Sequence, residues 1–379
     1  MQFQVKTIKN ENIKDELLKI GFDSAYIDYA KEKHEILNLK ITNLSPHMAT
    51  IIKETALSKG CDSGVHKDVL MHKIDKSDLI LSGTIKQLKE VAKSLLNQPF
   101  GLKEISKSIL DEINLKNKIY SPEIMGILNI TDNSFSDGGK FLDEKLAIKH
   151  AIELINDGAS IIDIGAESTK PNSSPIEIET EIKRLTPIVK ELKNQNFKIS
   201  IDTRNSLTAS KMIEFGADII NDVSFLNYDN KMVDVIKNST VSYVLTHSKG
   251  VPDNMDNFCD YKNLRDEIFE EIKSKIEELK EIDKNRLIID VGFGFAKNIE
   301  QNFELLKNIK EFNSLNYKTL AGVSRKRFLK SLVKSNDNEI LDEITMLSSF
   351  YLFQNKVDII RVHNAKKTKM ALDFYNSIY

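Results

Sequence analysis

At 379 residues, with 41% hydrophobic and 29% charged side chains, the chain is longer than one average domain and has ample apolar material for buried cores. A formal net charge of -2 gives no large field of either sign, which argues against nucleic acid as the main partner. Its two cysteines, Cys61 and Cys259, lie far apart without ligands at zinc spacing, so neither a disulfide framework nor a structural zinc is expected. There is no apolar leader and no run near the ~18 residues of a membrane span, so the reading is a soluble, unprocessed, cytoplasmic protein without a membrane partner.

In chain order, residues 1–118 read as a smaller N-terminal α/β domain. Strands are predicted at 3–8, 35–41, 69–74 and 78–81, and helices at 45–59 and 84–97. His47, His66 and His72 are too irregularly spaced for a metal set and read as packing or surface residues. The charged run at 111–118 marks the boundary, after which short Ile/Val-rich segments recur. They fall at 124–130, 160–165, 198–201, 219–223, 242–246, 287–291, 319–323 and 359–362. Helical patterns at 143–157, 177–194, 206–215, 261–279 and 302–312 separate most of them. Segments apolar on both faces are how buried parallel strands read. Eight of them alternating with helices over residues 119–379 fit a (β/α)8 TIM barrel, with an open doubly wound sheet as the alternative.

A parallel barrel gathers its chemistry where the strands end. The segments here end in Asn129, in Asp163 and Glu167, in Asp202, in Asn221 and Asp222, in His247, in Asp290, in Ser324 and Lys326, and in Arg361 and His363. Any one of these could be a helix cap or turn former. Carboxylates and amides at several ends, with cationic groups at the last two, suit a ligand that has a polar heterocycle and an anionic end. Arg361 and His363, two apart on one strand, share a face and read as an anion site.

Four stretches then carry a resemblance. MGILNIT at 125–131, continuing as SFSDGG at 134–139, resembles the opening signature of the dihydropteroate synthases, and GASIIDIGAESTKP at 158–171 resembles their second. DVGFGFAK at 290–297 is similar to their sixth-strand loop, and Ser324-Arg325-Lys326 and Arg361-Val362-His363 to the last two. The resemblance covers about residues 120–379, in the family's order. It implies a transferase of folate biosynthesis that condenses 6-hydroxymethyl-7,8-dihydropterin diphosphate with p-aminobenzoate, releasing diphosphate and forming 7,8-dihydropteroate. Bond breaking would lead, so that positive charge develops on the pterin methylene, where buried carboxylates stabilise it.

By the same resemblance Asp202, Asn221 and Asp290 would hydrogen-bond the pterin edge, and Lys326 would reach the pterin; Asp202, Asp290 and Lys326 form the catalytic set. Asn129, Thr169, Arg361 and His363 would hold the diphosphate, Asn129 through a bound Mg²⁺. Ser168, Thr169, Lys170 and Pro171, with Phe295 and Ser324, would frame the p-aminobenzoate site. Such enzymes are commonly homodimers through their late helices and are sulfonamide targets.

The sequence departs from the family pattern in its loops. Asp132 stands where proline is usual and Asn133 where aspartate is; Lys170 replaces an arginine and Asn172 a glycine. Val291 replaces a proline, Ala296 a glycine and Ser248 a methionine. Exchanging a planar guanidinium for a point charge alters how a carboxylate is oriented, so these changes bear on p-aminobenzoate and sulfonamide binding. Two other readings remain open: a pterin-binding barrel that transfers a methyl group to a cobalamin protein, and a non-catalytic pterin-binding protein. Release of diphosphate separates the first from a synthase, and complementation of a strain lacking the synthase separates the second.

Overall fold

The computed structural model describes residues 3–115, 120–130, 140–167, 176–250 and 255–379. It divides into two compact units, residues 1–119 and 120–379.

The first unit contains α1 (Ile13–Lys19), α2 (Ile27–Lys31), β1 (Ile36–Leu44), α3 (Pro46–Ser58), β2 (Asp62–Val65), β3 (Ser77–Thr84), α4 (Ile85–Leu95) and α5 (Leu102–Leu115). Its three strands form an antiparallel sheet in the order β1-β3-β2. Strand alternation turns Leu79 and Leu81 inward onto Ile52, Leu88, Val91 and Ile109. Helix starts are written in the sequence: the Ser45 hydroxyl accepts from Met48 N ahead of Pro46, and Thr84 with Gln87 forms a capping box.

Two expectations for this unit fail. Residues 3–8 form no strand, and 69–74 are turn and irregular chain rather than strand. The third strand is β2, whose Asp-Ser-Gly sequence has poor strand propensity and is held by pairing with β3. The polar run at 111–115 belongs to α5, which buries Leu102, Ser106, Ile109 and Ile113 at three- and four-residue spacing on one face.

The second unit alternates β4 (Glu123–Asn129), α6 (Lys140–Asn156), β5 (Ile161–Gly165), α7 (Ile178–Asn194), β6 (Lys198–Asp202), α8 (Ser206–Glu214), β7 (Ile219–Asp222), α9 (Met232–Lys237) and β8 (Ser242–Thr246). It continues through α10 (Leu264–Glu278), β9 (Leu287–Asp290), α11 (Ile299–Lys307), β10 (Lys318–Ala321), α12 (Arg327–Val333), α13 (Asn338–Gln354), β11 (Ile359–Val362) and α14 (Ala365–Ile378). All eight strands are parallel, and β11 pairs with β4 to close the barrel, so the open-sheet alternative is excluded. All eight predicted strands are found. The helical patterns missed α9, α12, α13 and α14. In α13 small and hydroxyl residues (Thr345, Ser348, Ser349) share the buried face and blur the apolar stripe.

Two layers of apolar packing position the site. Outside, Ile and Leu side chains of strands and helices form the large core. Inside, Met125, Ile161, Ile219, Val244, Ile288, Leu320 and Ile359, each no more than 3% exposed, plug the barrel. One strand, β6, sends in Ser200 instead. Removing a plug side chain leaves a void that a closed barrel cannot collapse around: Leu320→Ala is expected to destabilise the barrel by about 2–4 kcal/mol in urea unfolding.

Candidate functional site

The plug sets the geometry above it. Side chains on a strand alternate between faces, so the residue two places after each plug residue also points inward. From Ile161, Ile219, Val244, Ile288 and Ile359 this step leads to Asp163, Asn221, Thr246, Asp290 and Arg361. Cross-strand register then sets Asn129 opposite Gly165, Gly165 opposite Asp202, and Asp202 opposite Asn221. One polar layer therefore caps the apolar plug at the C-terminal ends of the strands. Asp163, Asp202, Asn221 and Asp290 are all buried there.

Arg361 ties this layer together. Its Nε donates to Asp163 Oδ2 at 2.5 Å and its Nη2 to Asp202 Oδ2 at 2.7 Å, while Asn221 Nδ2 donates to the same Asp163 oxygen at 3.1 Å. Burial works against the guanidinium's charge, but Asp163 and Asp202 outweigh it and raise its pKa. Burial pushes the Asp202 carboxyl up to about 7; Arg361 pulls it down and Asp163, competing for the same cation, pushes it up again. Asp290 is likewise raised by burial, against the pull of Lys326. Asp163 Oδ1 and Thr246 Oγ1 are buried without a hydrogen-bond partner, as groups are where a ligand or water completes the set.

Lys326 begins the turn into α12. Its Nζ donates to the Phe293 carbonyl and sits 4.2 Å from the centre of the Phe295 ring. Burial lowers it to about 8, with Asp290 opposing. Gly294 makes room for it: with φ +77°, a Cβ there would stand 2.9 Å from Lys326 Cδ. Beside it, Ser324 Oγ lies 3.0 Å from His363 Nδ1 and accepts from His363 N at 3.2 Å. Asp342 on α13 fixes both loops, accepting two bonds from Arg325 at 2.7 and 2.8 Å and one from Asn364 at 3.0 Å. Burial raises the Asp342 carboxyl, but these partners outweigh it and leave its pKa lowered.

The structure brings Asp202, Asn221, Asp290, Lys326, Arg361, Phe295, Ser324, His363 and Asn129 to this one barrel mouth. Ser168, Thr169, Lys170 and Pro171, and the altered positions 132, 133 and 172, lie outside the described residues. The separate cationic pole read from Arg361 and His363 is, in the structure, joined to the carboxylates through Arg361. Sequence reasoning gave Asp163 no ligand role. Its signal was present, since it sits two places after an apolar strand residue and two before Gly165. The Arg204–Glu167 ion pair was also missed; it closes at 2.7 Å beside Tyr228, whose ring lies 4.1 Å from Arg204 Cζ.

The closed parallel barrel sets carboxylates and amides beside a lysine and an arginine at its mouth, and residues 125–363, which span it, match the family described as pterin binding enzyme. A Helicobacter pylori protein named bifunctional dihydropteroate synthase/dihydropteroate reductase is 32% identical over 366 residues, covering 95% of each chain. The dihydropteroate synthase of Clostridium beijerinckii is 36% identical over 263 residues, 69% of this chain and 94% of its own. The dihydropteroate synthase of Clostridium difficile, solved in the presence of pteroic acid, shares 33% identity and a TM-score of 0.65, over 69% of this chain and 99% of its own. The chain belongs to the dihydropteroate synthase family.

A carboxylate accepts N–H groups at both oxygens whereas the protonated acid carries a donor on one of them, so with Asp202 as a proposed pterin ligand kcat/KM for the pterin substrate is expected to fall as pH drops below about 7, by up to tenfold per unit; a profile flat from pH 8 to 5 would contradict this. The stability effect has the opposite direction. The folded state holds this proton more tightly than the unfolded chain, so the contribution is full below about 3.8 and lost as pH rises to about 7.

Proposed function

We propose that the barrel condenses 6-hydroxymethyl-7,8-dihydropterin diphosphate with p-aminobenzoate, giving 7,8-dihydropteroate and diphosphate. The observation that carries this reading is the convergence of Asp202, Asn221 and Asp290 with Lys326 and Arg361 at one barrel mouth. Asp202, Asp290 and the amide of Asn221 pair with the donors and acceptors along the pterin edge. As the methylene carbon–oxygen bond breaks, its electron pair leaves with the diphosphate and positive charge grows on the methylene. The buried carboxylates stabilise that charge in a site that excludes water. The amine lone pair of p-aminobenzoate then forms the new carbon–nitrogen bond, and the amine's extra proton is released. Lys326 and Phe295 bound the space where the second ring enters, with Ser324 and His363 at its edge. Sulfonamides, which resemble p-aminobenzoate, would compete there.

Magnesium fits the residues present. Among the described residues no group of three His, Cys, Asp or Glu forms a cage, but Mg²⁺ needs few protein oxygens when phosphates supply the rest. Asn129 would hold it at the end of β4, beside Gly165, whose lack of a side chain leaves room between them: a Cβ there would be in van der Waals contact with both neighbours, 3.7 Å from Asn129 Oδ1 and 3.4 Å from Asp202 Cβ. Such an ion would neutralise charge on the departing diphosphate. Arg361, Thr169 and His363 complete the proposed diphosphate set. A homodimer through the late helices is supported by exposed apolar side chains on α13 and α14, Leu347, Met370 and Phe374 among them. Among the described residues no helix is long and apolar enough to cross a membrane, and a cytoplasmic enzyme of folate synthesis is proposed.

A second activity, reduction of the dihydropteroate product, is favoured by the Helicobacter relative, whose likeness extends over 95% of this chain and so into the N-terminal unit. It would require a hydride donor of the nicotinamide or reduced flavin class. Formation of tetrahydropteroate by the full chain supplied with such a donor, and its loss when residues 1–118 are removed, would test it.

Asp202→Asn and Asp290→Asn each remove charge while keeping shape. Turnover measured by diphosphate release is expected to fall by about 10²-fold or more, with the melting temperature nearly unchanged. Lys326→Ala is expected to raise the KM of both substrates; unchanged kinetics would remove Lys326 from the site. Complementation of a strain lacking the synthase tests the assignment as a whole.

A further inference from the structure

We propose that Lys297 is a positioning residue for the p-aminobenzoate side of the site, acting through the loop that joins β9 to α11. The inference rests on the functional reading above. Lys297 is 1% exposed, and its Nζ is bonded to three groups: the Gly292 carbonyl at 3.0 Å, the Phe295 carbonyl at 2.9 Å and His247 Nδ1 at 3.0 Å. Burial lowers this group to about 7, with Asp290 opposing; when protonated, Nζ has three hydrogens and no acceptor, so donors and acceptors match in number.

The third contact fixes the histidine. With Nδ1 accepting from Lys297, the proton of neutral His247 sits on Nε2, which donates to Glu271 Oε2 on α10 at 2.8 Å. The other Glu271 oxygen takes Lys249 at 2.7 Å. Burial, reinforced by the neighbouring Lys297, depresses the imidazole to about 3 and keeps it neutral. The network therefore runs from the surface of α10, through a buried imidazole, to the underside of the loop.

What this network holds is the loop's shape. Gly292 sits at φ +70°, where a Cβ would lie 1.8 Å from the His247 carbonyl oxygen. Its N donates to Asp290 Oδ1 at 2.8 Å, and its carbonyl accepts from Phe295 N at 3.1 Å as well as from Lys297. Phe295 is thus anchored through both its N–H and its carbonyl, and its ring lies against the Lys326 ammonium. A buried ammonium is a poor way to gain stability, because an apolar side chain of similar length avoids the desolvation penalty. Lys297 pairs directly with two loop carbonyls and an imidazole, which is the arrangement that sets a loop conformation.

The test compares KM for the two substrates in the full-length protein. Lys297→Met is expected to raise the KM for p-aminobenzoate about tenfold or more while moving the KM for the pterin diphosphate less than about twofold. His247→Leu should do the same. His247→Asn, whose amide oxygen replaces the Nδ1 acceptor, should show a clearly smaller rise, which a merely space-filling histidine would not. Unmoved KM for p-aminobenzoate, a parallel rise in both KM values, or equal effects of Leu and Asn at 247 would overturn the proposal. Should Lys297→Met fail to fold, the His247 pair decides. An unaltered chain that forms dihydropteroate alongside unmoved variants defeats this inference alone; one that forms none defeats the functional reading and this inference with it.

Discussion

One guanidinium holds the active-site layer together. Asp163 and Asp202 come from neighbouring strands and are both buried, and both reach Arg361 on the last strand of the barrel. Two carboxylates this close inside a protein cannot both stay ionised without a cation between them. Arg361 supplies that cation, and Asp202 still has a raised pKa because burial, with Asp163 adding to it, outweighs the arginine's pull. The ends of the site proposed to face the pterin and the diphosphate are thus parts of one charge network. Any ligand that draws Arg361 toward its own anionic end must compensate the carboxylates that the arginine leaves, and the donor-rich pterin edge has the chemistry to do that.

Beneath the network lies a layer with no chemistry at all. Seven apolar side chains fill the barrel and separate the charged mouth from the opposite face. Because strands alternate faces, this plug decides which residues point into the mouth one step later. Stability and reactivity are therefore stacked along the same strands, two residues apart. The loops after the strands add a third level: Asp342 fixes the ends of β10 and β11, and Asn302 fixes Gly294 with a 2.6 Å bond to its N–H.

Much of this was legible in the sequence because parallel barrel strands announce themselves. Most are short Ile/Val-rich runs followed closely by a polar residue, and all eight lay where that pattern placed them. The polar ends were legible for the same reason, including Asp202, Asn221 and Asp290. Asp163 was visible but undervalued, since a single aspartate inside an apolar strand looks like a turn residue until its partner 198 positions away is known. Lys297 was less legible still: a lysine after a glycine-rich loop reads as a solvated side chain, and only burial reveals it. The N-terminal unit was harder because its strands are amphipathic and β2 is defined by its neighbour. The propensity of Phe3 to Ile8 pointed to a strand that no partner pairs, and residues 111–115 were too polar to look helical without the buried stripe of α5.

The closure of the barrel has a consequence for how the molecule is made. The last strand pairs with the first, Ile359 against Glu123, and it also brings Arg361. On the ribosome the chain emerges from its N-terminus, so Asp163 and Asp202 are synthesised long before the cation that neutralises them. A nascent or prematurely terminated chain that stops before β11 has an open seam between β10 and β4 and leaves Asp163 and Asp202 without Arg361. Translation must therefore pass β11 before the pocket can assemble, and a chain stopped short of it is left with both its hydrogen-bonding edge and its charge imbalance exposed to quality control.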